Sequence, residues 1–339
     1  MYFSNLSNNQ QRISIDVRQT FEAFREARRN AVKYAGGLSW KTVGGKDYLI
    51  KVLNRSGATR SLGPRSAETE AIHAEFVAGK VRAKEREAAL KQSLREFAGM
   101  ARGVYLNRVP AIVTATLRKL DEHHLLGRNL MVIGTHAMYG YEAVGGVMFD
   151  AGLLATNDID LLWDARSRLK LALLDNEVAD AGLLAILRKV DRSFEPVRKG
   201  GFRAANKDGF YVDLVKQAPN PPWKQDEPEQ IAAADLTPSW LPNIKWLLAS
   251  EKFQSVVIGH DGLPAPMVSP DPRAFAVYKH WLSEQPDREP GKKQRDKQQA
   301  EATIALLRDK LPHLVLDERA QQMFPKTVRA DVAGQGFEW

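Results

Sequence analysis

The sequence predicts an α+β fold in which short strands stand between longer helices. Residues 130–133, LMVI, form an apolar run of the length of a buried strand. A Gly-Thr-His turn at 134–136 and a helical pattern over 137–143 follow that run. Farther along the chain, residues 158–161 (DIDL) and 209–215 (GFYVDLV) have the composition of two more strands. These three strands form the centre of the predicted fold.

Three acidic side chains lie on the two later strands. Successive side chains of a strand point to opposite faces, so Asp158 and Asp160 share one face. Asp213 stands among apolar neighbours in the last strand, and sheet pairing can bring it beside the first two. Ionised carboxylates held this close repel one another, and a divalent cation bound between them removes the repulsion. Hard oxygen ligands suit Mg²⁺, with Mn²⁺ as the alternative.

The turn before the first helix has its own chemistry. Gly134 and Thr135 would present backbone N–H groups at a helix N-terminus, where anions bind. A phosphate cradle with three strand-borne acids is the equipment of metal-assisted phosphoryl or nucleotidyl transfer. Two alternatives stay open: a lone Asp-x-Asp also occurs in surface strands and turns, and His136 fits a structural role as well as a substrate contact.

These residues resemble a known signature. Gly134-Thr135, Asp158-x-Asp160 and Asp213 are similar to the G-[GS]…DxD…D pattern of the polymerase-β-like nucleotidyltransferase superfamily. Over most of its length the chain more narrowly resembles bacterial nucleotidyltransferase-fold proteins related to the AbiE-type toxins. That likeness is carried by residues 61–64 (SLGP), 191–194 (DRSF) and 292–300 (KKQRDKQQA).

The chain departs from this pattern in two places. Thr135 replaces the usual serine or glycine. Gly134 and Asp158 are 24 positions apart, a longer gap than many members have, which predicts an extra loop between the turn and the acids. Glycines at 145, 146 and 152 predict that this loop is flexible.

The resemblance implies a polymerase-β-like core with a mixed sheet and two flanking regions. Residues 1–104 would form N-terminal helices and a small β-sheet, a region that could contact nucleic acid. Residues 105–228 would form the catalytic core, which ends in a proline-rich stretch. Residues 229–339 would form a mainly helical domain that completes the nucleotide site.

The resemblance also implies a reaction and its participants. Two Mg²⁺ ions held by Asp158, Asp160 and Asp213 would activate an acceptor hydroxyl and stabilise charge on the phosphates, with Asp213 as base. Gly134 and Thr135 would hold an NTP, and its NMP would pass to RNA, such as a tRNA, in a toxin-like reaction with an antitoxin as partner. The alternatives are transfer to a protein or small molecule, and a non-catalytic nucleic-acid-binding protein that keeps the fold.

A helix predicted near the C-terminus suggests further nucleotide contacts. Residues 291–310 carry an apolar stripe through Ala300, Ile304, Leu307 and Leu311, and its backward extension reaches Lys297 and Lys293. Cations are disfavoured at the positive end of a helix, so a bound anion would explain them. The alternative is a solvated first turn. The predicted nucleotide contacts are Gly134, Thr135, His136, Lys279, Lys293, Arg295 and Lys297, with Arg192 and Ser193 as substrate contacts or, alternatively, parts of a turn.

Composition limits the classes of function. The net charge of +8 and a pI near 9.5 favour a polyanionic partner, although a merely soluble basic protein would fit equally. The absence of cysteine excludes disulfides, thiolate zinc sites and cysteine nucleophiles, and fits a cytoplasmic protein without a membrane partner. Basic and aromatic residues of the small sheet, 39–62, could bind nucleic acid or form one wet face. The charges of the helix predicted over 67–100 indicate only a solvated face.

Overall fold

The computed structural model divides into two compact units, Arg12–Val104 and a larger unit made of Met1–Gln11 and Tyr105–Trp339. It describes residues 2–53, 57–164, 182–219, 235–241, 243–314 and 317–334. Residues 105–228 and 229–339, which the sequence analysis separates, belong to one unit that residues 1–11 also join. The proline-rich stretch at that predicted boundary lies mostly outside the described residues.

The smaller unit has a three-stranded antiparallel sheet and a long helix. Its elements are α1 (Asn8–Val32, which begins in the larger unit), β2 (Gly37–Val43), β3 (Lys46–Val52), β4 (Thr59–Pro64) and α2 (Ala67–Gly103). The Ser66 side chain caps α2 by accepting a hydrogen bond from the Thr69 backbone, as its position before the helix predicts. One sheet face packs on α2, where the Trp40 and His73 rings lie 5.8 Å apart. Trp40 is therefore part of this packing.

The larger unit contains the remaining elements. Its strands are β1 (Phe3–Asn5), β5 (Leu130–Ile133), β6 (Val147–Phe149), β7 (Asp158–Trp163), β8 (Glu195–Pro196), β9 (Arg203–Ala205), β10 (Tyr211–Gln217), β11 (Ser239–Leu241), β12 (Lys252–Ile258) and β13 (Pro264–Pro270). Its described helices are α3 (Ala111–Glu122), α4 (Ala137–Gly145), α5 (Ala151–Leu154), α6 (Gly182–Val190), α7 (Lys245–Ala249), α8 (Pro272–Ser283), α9 (Pro290–Lys310), α10 (Glu318–Gln321) and α11 (Lys326–Gly334).

A mixed sheet of six strands forms the centre of this unit, and the predicted α+β fold is confirmed. The strand order is β5-β7-β10-β9-β8, and β11 pairs with the far end of β10. Strands β7 and β10 are parallel neighbours, whereas β5 and β9 run antiparallel to them. The parallel register sets Asp213 beside Asp160 and Tyr211 beside Asp158.

The sheet is buried on both faces. Leu130 and Val132 of β5 join a core with residues of α3 and α6, while Met131 and Ile133 join a second core with residues of α8 and α11. Strand β5 is apolar throughout because both of its faces are covered. The last helices thus share a core with the sheet, and residues 229–339 do not form a separate compact unit. Within the described part of the chain, no helix has the length and apolarity needed to cross a membrane.

The prediction of a flexible loop between Gly134 and Asp158 is wrong. That segment contains α4, β6 and α5, and β6 pairs with β1. Gly145 lies inside α4, and Gly146 ends the helix with a left-handed φ of 64°, a conformation that glycine adopts without strain. Gly145 and Gly146 therefore lie at the end of α4, and Gly152 lies in the short helix α5, places that composition alone does not distinguish from a loop.

Candidate active site

Three carboxylates meet at the start of the parallel strands. Asp158 and Asp160 lie on β7 and Asp213 lies on β10, all on one face of the sheet because Asp213 is in register with Asp160. One oxygen from each carboxylate lies within 4.8 Å of the others. Asp213 is buried, and the other two acids are half-buried. This all-oxygen donor set, drawn from adjacent strands, fits a hard divalent cation such as Mg²⁺.

The charge balance of these acids also suits a cation. The pKa of Asp160 is raised to about 7, first by burial and then by repulsion from Asp158 and Asp213. The positive charges of Lys279 and Arg203 oppose this rise but do not cancel it. A bound cation would supply positive charge at the point where the protein leaves it deficient.

Arg203 is a site residue that the sequence analysis missed. It faces Asp213 in the antiparallel pair of β9 and β10 and donates two hydrogen bonds to it, of 2.7 Å from Nε and 2.6 Å from Nη2. The sequence of residues 206–209 (NKDG) contained a signal, because a turn of this composition closes a hairpin that sets residue 203 opposite residue 213. Bidentate contacts between an arginine and a carboxylate fix the orientation of the carboxylate.

The glycine of the turn is required by its contact with the acids. Gly134 has a φ of 66°, and a Cβ built there would collide with the Asp160 carboxylate. Thr135 is buried, and its hydroxyl accepts a 3.1 Å hydrogen bond from Gln299, which leaves the hydroxyl hydrogen for donation. Thr156, another residue that the sequence analysis missed, donates a hydrogen bond to Asp158. The predicted turn therefore lies directly against the acids.

His136 is buried beside the same acids. Its ring forms a hydrogen bond with the backbone of Asp158 and lies near the rings of Tyr139 and Phe210, at 5.9 and 6.3 Å. Burial lowers the pKa of His136 to about 4, so the ring is neutral at physiological pH. Its Nε2 is buried and has no hydrogen-bond partner within the described ranges. His136 therefore presents an unsatisfied nitrogen near the acids.

A buried ionic cluster connects α8 and α9 near the acids. Asp296 is inaccessible to solvent and accepts hydrogen bonds from Lys279, at 2.6 Å, and from Arg288 Nε, at 2.8 Å. Burial lowers the pKa of Lys279, and Asp296 opposes that shift. The cluster has two cations and one anion, and its excess positive charge acts on Asp160 through Lys279. Neither Arg288 nor Asp296 is among the site residues that the sequence predicts.

The predicted orientation of α9 needs correction at its N-terminal half. The residues buried there are Asp296, Gln299 and Ala300, whereas Lys297 is exposed and Lys293 is half-exposed. An apolar stripe does not predict this face, because the buried face becomes polar where α9 meets Lys279 and Thr135. Arg295 contacts the segment just before Asp158. Its Nη1 donates a 3.4 Å hydrogen bond to the Ala155 carbonyl.

The segment 191–194 forms a turn, which was the alternative to a substrate contact. Ser193 donates a 2.7 Å hydrogen bond from its hydroxyl to Asp191, and the Lys207 backbone donates to that same hydroxyl at 3.0 Å. Arg192 is exposed. The local bonds give Ser193 a structural role, and contact of either residue with substrate stays a prediction.

The mixed sheet, the three acids and the glycine turn together place a donor set for a divalent cation beside a tight turn. A family model described as Nucleotidyltransferase matches residues 111–325, and the chain belongs to this nucleotidyltransferase family. The match begins with α3 and extends beyond α9, so it includes the acids, the turn and the ionic cluster. Neither a curated protein nor a solved structure matches the chain.

Proposed function

We propose that this protein is a metal-dependent nucleotidyltransferase that transfers NMP from an NTP to an acceptor hydroxyl and releases pyrophosphate. The observation that carries the proposal is the set of three carboxylates within 4.8 Å beside the Gly134-Thr135 turn. Membership in the nucleotidyltransferase family supports the class of reaction. The donor set supports Mg²⁺, two ions by analogy with the superfamily, with Mn²⁺ as a substitute.

Asp158, Asp160 and Asp213 would hold the ions in this proposal. Bound divalent cations would lower the pKa of the acceptor hydroxyl and neutralise charge on the reacting phosphates. Asp213 would take the hydroxyl proton as base, and Arg203 keeps its carboxylate fixed for that role. Thr156 would orient Asp158 in the same way.

The triphosphate would lie between the Gly134-Thr135 turn and helices α8 and α9. Gly134 and Thr135 offer backbone N–H groups there, and Lys279 with Arg288 supplies the net positive charge of the buried cluster. Arg295, next to the segment that precedes Asp158, and Lys293 on the first turn of α9 would contact the outer phosphates. The neutral His136 ring would accept a hydrogen bond from the substrate through Nε2.

RNA is the proposed acceptor, with a structured molecule such as tRNA as the favoured form. The basic net charge of +8 and the resemblance to AbiE-type toxin nucleotidyltransferases support it. A toxin-like activity would also imply an antitoxin protein as partner. Transfer to a protein or a small molecule, and RNA binding without catalysis, are the competing functions.

One labelling experiment separates these functions. The full-length protein is incubated with each of four α-labelled NTPs, Mg²⁺, total RNA and cell extract, and the label is then followed into RNA, protein and small molecules. Label in RNA together with pyrophosphate release supports the proposal, and label in another fraction identifies another acceptor. The Asp160→Asn variant serves as the control for contaminating activity. If no NTP gives label or pyrophosphate, RNA binding without catalysis is the function that remains.

A further inference from the structure

A line of cations runs along helix α2, whose charges predict only a solvated face when taken from the sequence alone. At 3.6 residues a turn, positions 80, 84, 88, 91, 95, 98 and 102 follow one another on a single face of this helix. Positions 88 and 98 are alanines. The other five are exposed cations, here called the α2 ridge: Lys80, Lys84, Lys91, Arg95 and Arg102.

The ridge keeps much of its charge unpaired. Across the described ranges of the chain, Lys84, Lys91 and Arg95 have neither an ion pair nor a hydrogen-bond partner. By helical spacing, Glu85 and Glu96 of the same helix point away from the ridge, whereas the half-buried Glu87 lies at its edge between Lys84 and Lys91. Lys80 differs, since its Nζ donates to the Gly36 carbonyl. Lys84, Lys91 and Arg95 therefore present unpaired positive charge along about 16 Å, at 1.5 Å per residue.

The charge of the whole chain is concentrated in the same unit. Residues 12–104 hold 19 of the 49 lysines and arginines but only 10 of the 41 aspartates and glutamates, a formal charge of +9. The remaining residues hold 30 and 31, a formal charge of −1. The entire positive balance thus lies outside the unit that contains the three acids. A general requirement for solubility would not place it so unevenly.

We propose that the α2 ridge is the docking surface for the phosphate backbone of a base-paired stem in the RNA acceptor; this rests on RNA being the acceptor of the proposed reaction. A row of exposed cations with one half-buried carboxylate, Glu87, keeps an excess of positive charge that matches a row of phosphates, and counterion release drives their association. Single-stranded RNA is bound on aromatic platforms, and the ridge has no aromatic residue. A protein partner would need an apolar contact centre, but the exposed Val77 and Val81 lie only at the Lys80 end, and the rest of the ridge offers Ala88 and the buried Ala98.

The test compares two double variants of the full-length protein that change the net charge equally. The ridge variant is Lys84→Glu with Lys91→Glu. The matched control is Arg82→Glu with Arg86→Glu, two exposed residues of the same helix on another face. Binding of purified bulk tRNA is measured without NTP over a range of salt concentrations, and thermal melts establish that both variants are folded.

The ridge variant should bind tRNA at least tenfold more weakly than the control at the same salt. Its plot of log affinity against log salt should lose about two units of slope, because each phosphate contact contributes about 0.9 units in a duplex. The control should lose less than one unit. Equal losses of tRNA affinity in both variants would contradict the proposal that the ridge is the docking surface. Wild-type tRNA binding that does not depend on salt would contradict it as well.

The outcome for the ridge is separable from that for the proposed function. If tRNA binds through the ridge but is never labelled from any NTP, the ridge stands and the transfer to RNA fails. If wild type and both variants label tRNA at equal rates below saturation, the transfer stands and the ridge is overturned. Capture of an acidic protein through the ridge, with no competition by tRNA, would also overturn it.

Discussion

Arg203 donates two hydrogen bonds to Asp213, of 2.7 and 2.6 Å, so both oxygens of that carboxylate are held by one guanidinium. The two residues are opposite one another in β9 and β10, and Asp160 flanks Asp213 on the other side in β7. One row across three strands therefore carries a cation and two acids. Arg203 orients Asp213 and offsets part of the negative charge at this point of the sheet.

Replacing Arg203 by glutamine should lower the turnover number about tenfold or more, because Asp213 would lose the two bonds that orient it. The half-saturating Mg²⁺ concentration should stay equal or fall, since a positive charge is removed from beside three carboxylates. Steady-state kinetics at several Mg²⁺ concentrations measure both quantities. Arg203→Lys should retain the metal dependence of wild type while losing turnover. A large rise in the Mg²⁺ requirement of Arg203→Gln would contradict this role.

Asp158→Asn and Asp160→Asn should each abolish pyrophosphate release and leave the protein folded. Neutralising either acid relieves the repulsion that raises the Asp160 pKa, so the melting temperature without metal should be unchanged or higher. Pyrophosphate assays beside circular-dichroism melts provide the two readouts. Asp208→Asn is the control, because Asp208 is exposed in the turn before β10 and should keep full activity. Normal turnover in both site variants would rule out the carboxylate site.

Local patterns account for what the sequence predicts well. Strand β5 has the bounds of its apolar run, and α2 begins after Ser66, whose side chain caps the helix predicted from residue 67. Alternating acidic and apolar residues place Asp158 and Asp160 correctly on one face. Each of these signals lies within a few neighbouring residues, so no tertiary information is needed to detect it.

The features that the sequence analysis missed depend on distant partners. Asp296 is buried because Lys279, 17 residues earlier, reaches it, and Gln299 is buried against Thr135, 164 residues away. Neither residue belongs to an apolar pattern, so the apolar stripe of α9 does not include them. Extended backwards, that stripe reaches the exposed Lys297 instead. Whether a polar side chain is buried depends on hydrogen-bond partners that are distant in sequence, so single-residue propensities do not predict it.

Asp296→Asn should destabilise the protein strongly. The substitution leaves the buried Lys279 and the partly buried Arg288 without their anion, a change that costs about 3–5 kcal/mol at comparable sites. Chemical denaturation would measure the loss, and adding Lys279→Met in the same chain should restore part of it. Glu289→Gln, which breaks an exposed ion pair with Lys292 on the same helix, should leave the midpoint unchanged. Equal midpoints for the two single variants would contradict the structural importance of the cluster.

His136 should make the stability of the metal-free protein dependent on pH. Its pKa is about 4 in the fold against 6.5 when unperturbed, so the unfolded chain binds a proton that the folded chain does not. Its contribution is therefore complete above pH 6.5 and is lost as the pH falls towards 4, by about 3 kcal/mol in total. Asp160 titrates with the opposite sign over a similar range, so wild type must be compared with a variant at each pH.

The comparison uses His136→Gln, with the exposed His313→Gln as control. Melts in chelator from pH 4 to pH 8 should show that the stability difference between wild type and His136→Gln changes along this range. The difference between wild type and His313→Gln should stay nearly constant. A constant difference for His136→Gln as well would mean that the buried ring does not titrate as its surroundings indicate.

Lys293 should serve the nucleotide rather than the fold. It lies on the first turn of α9, three residues after Pro290, where a cation meets the positive end of the helix dipole at a cost of about 0.3–1 kcal/mol. Within the described ranges Lys293 has no ion-pair partner, so no structural carboxylate offsets that cost. A triphosphate reaching from the Gly134-Thr135 turn would supply the missing negative charge.

Lys293→Ala should therefore weaken NTP binding several-fold and leave the melting temperature without nucleotide equal or slightly higher. Lys297→Ala should follow the same direction with a smaller loss of affinity, because Lys297 is exposed and its ammonium is solvated. Calorimetric titration with a non-hydrolysable NTP and Mg²⁺, beside melts of each apo-protein, measures both quantities. A lower melting temperature with unchanged NTP affinity would instead assign Lys293 to the fold. Since both lysines lie on one helix and each substitution removes one charge, a greater loss at Lys293 would reflect its position rather than net charge.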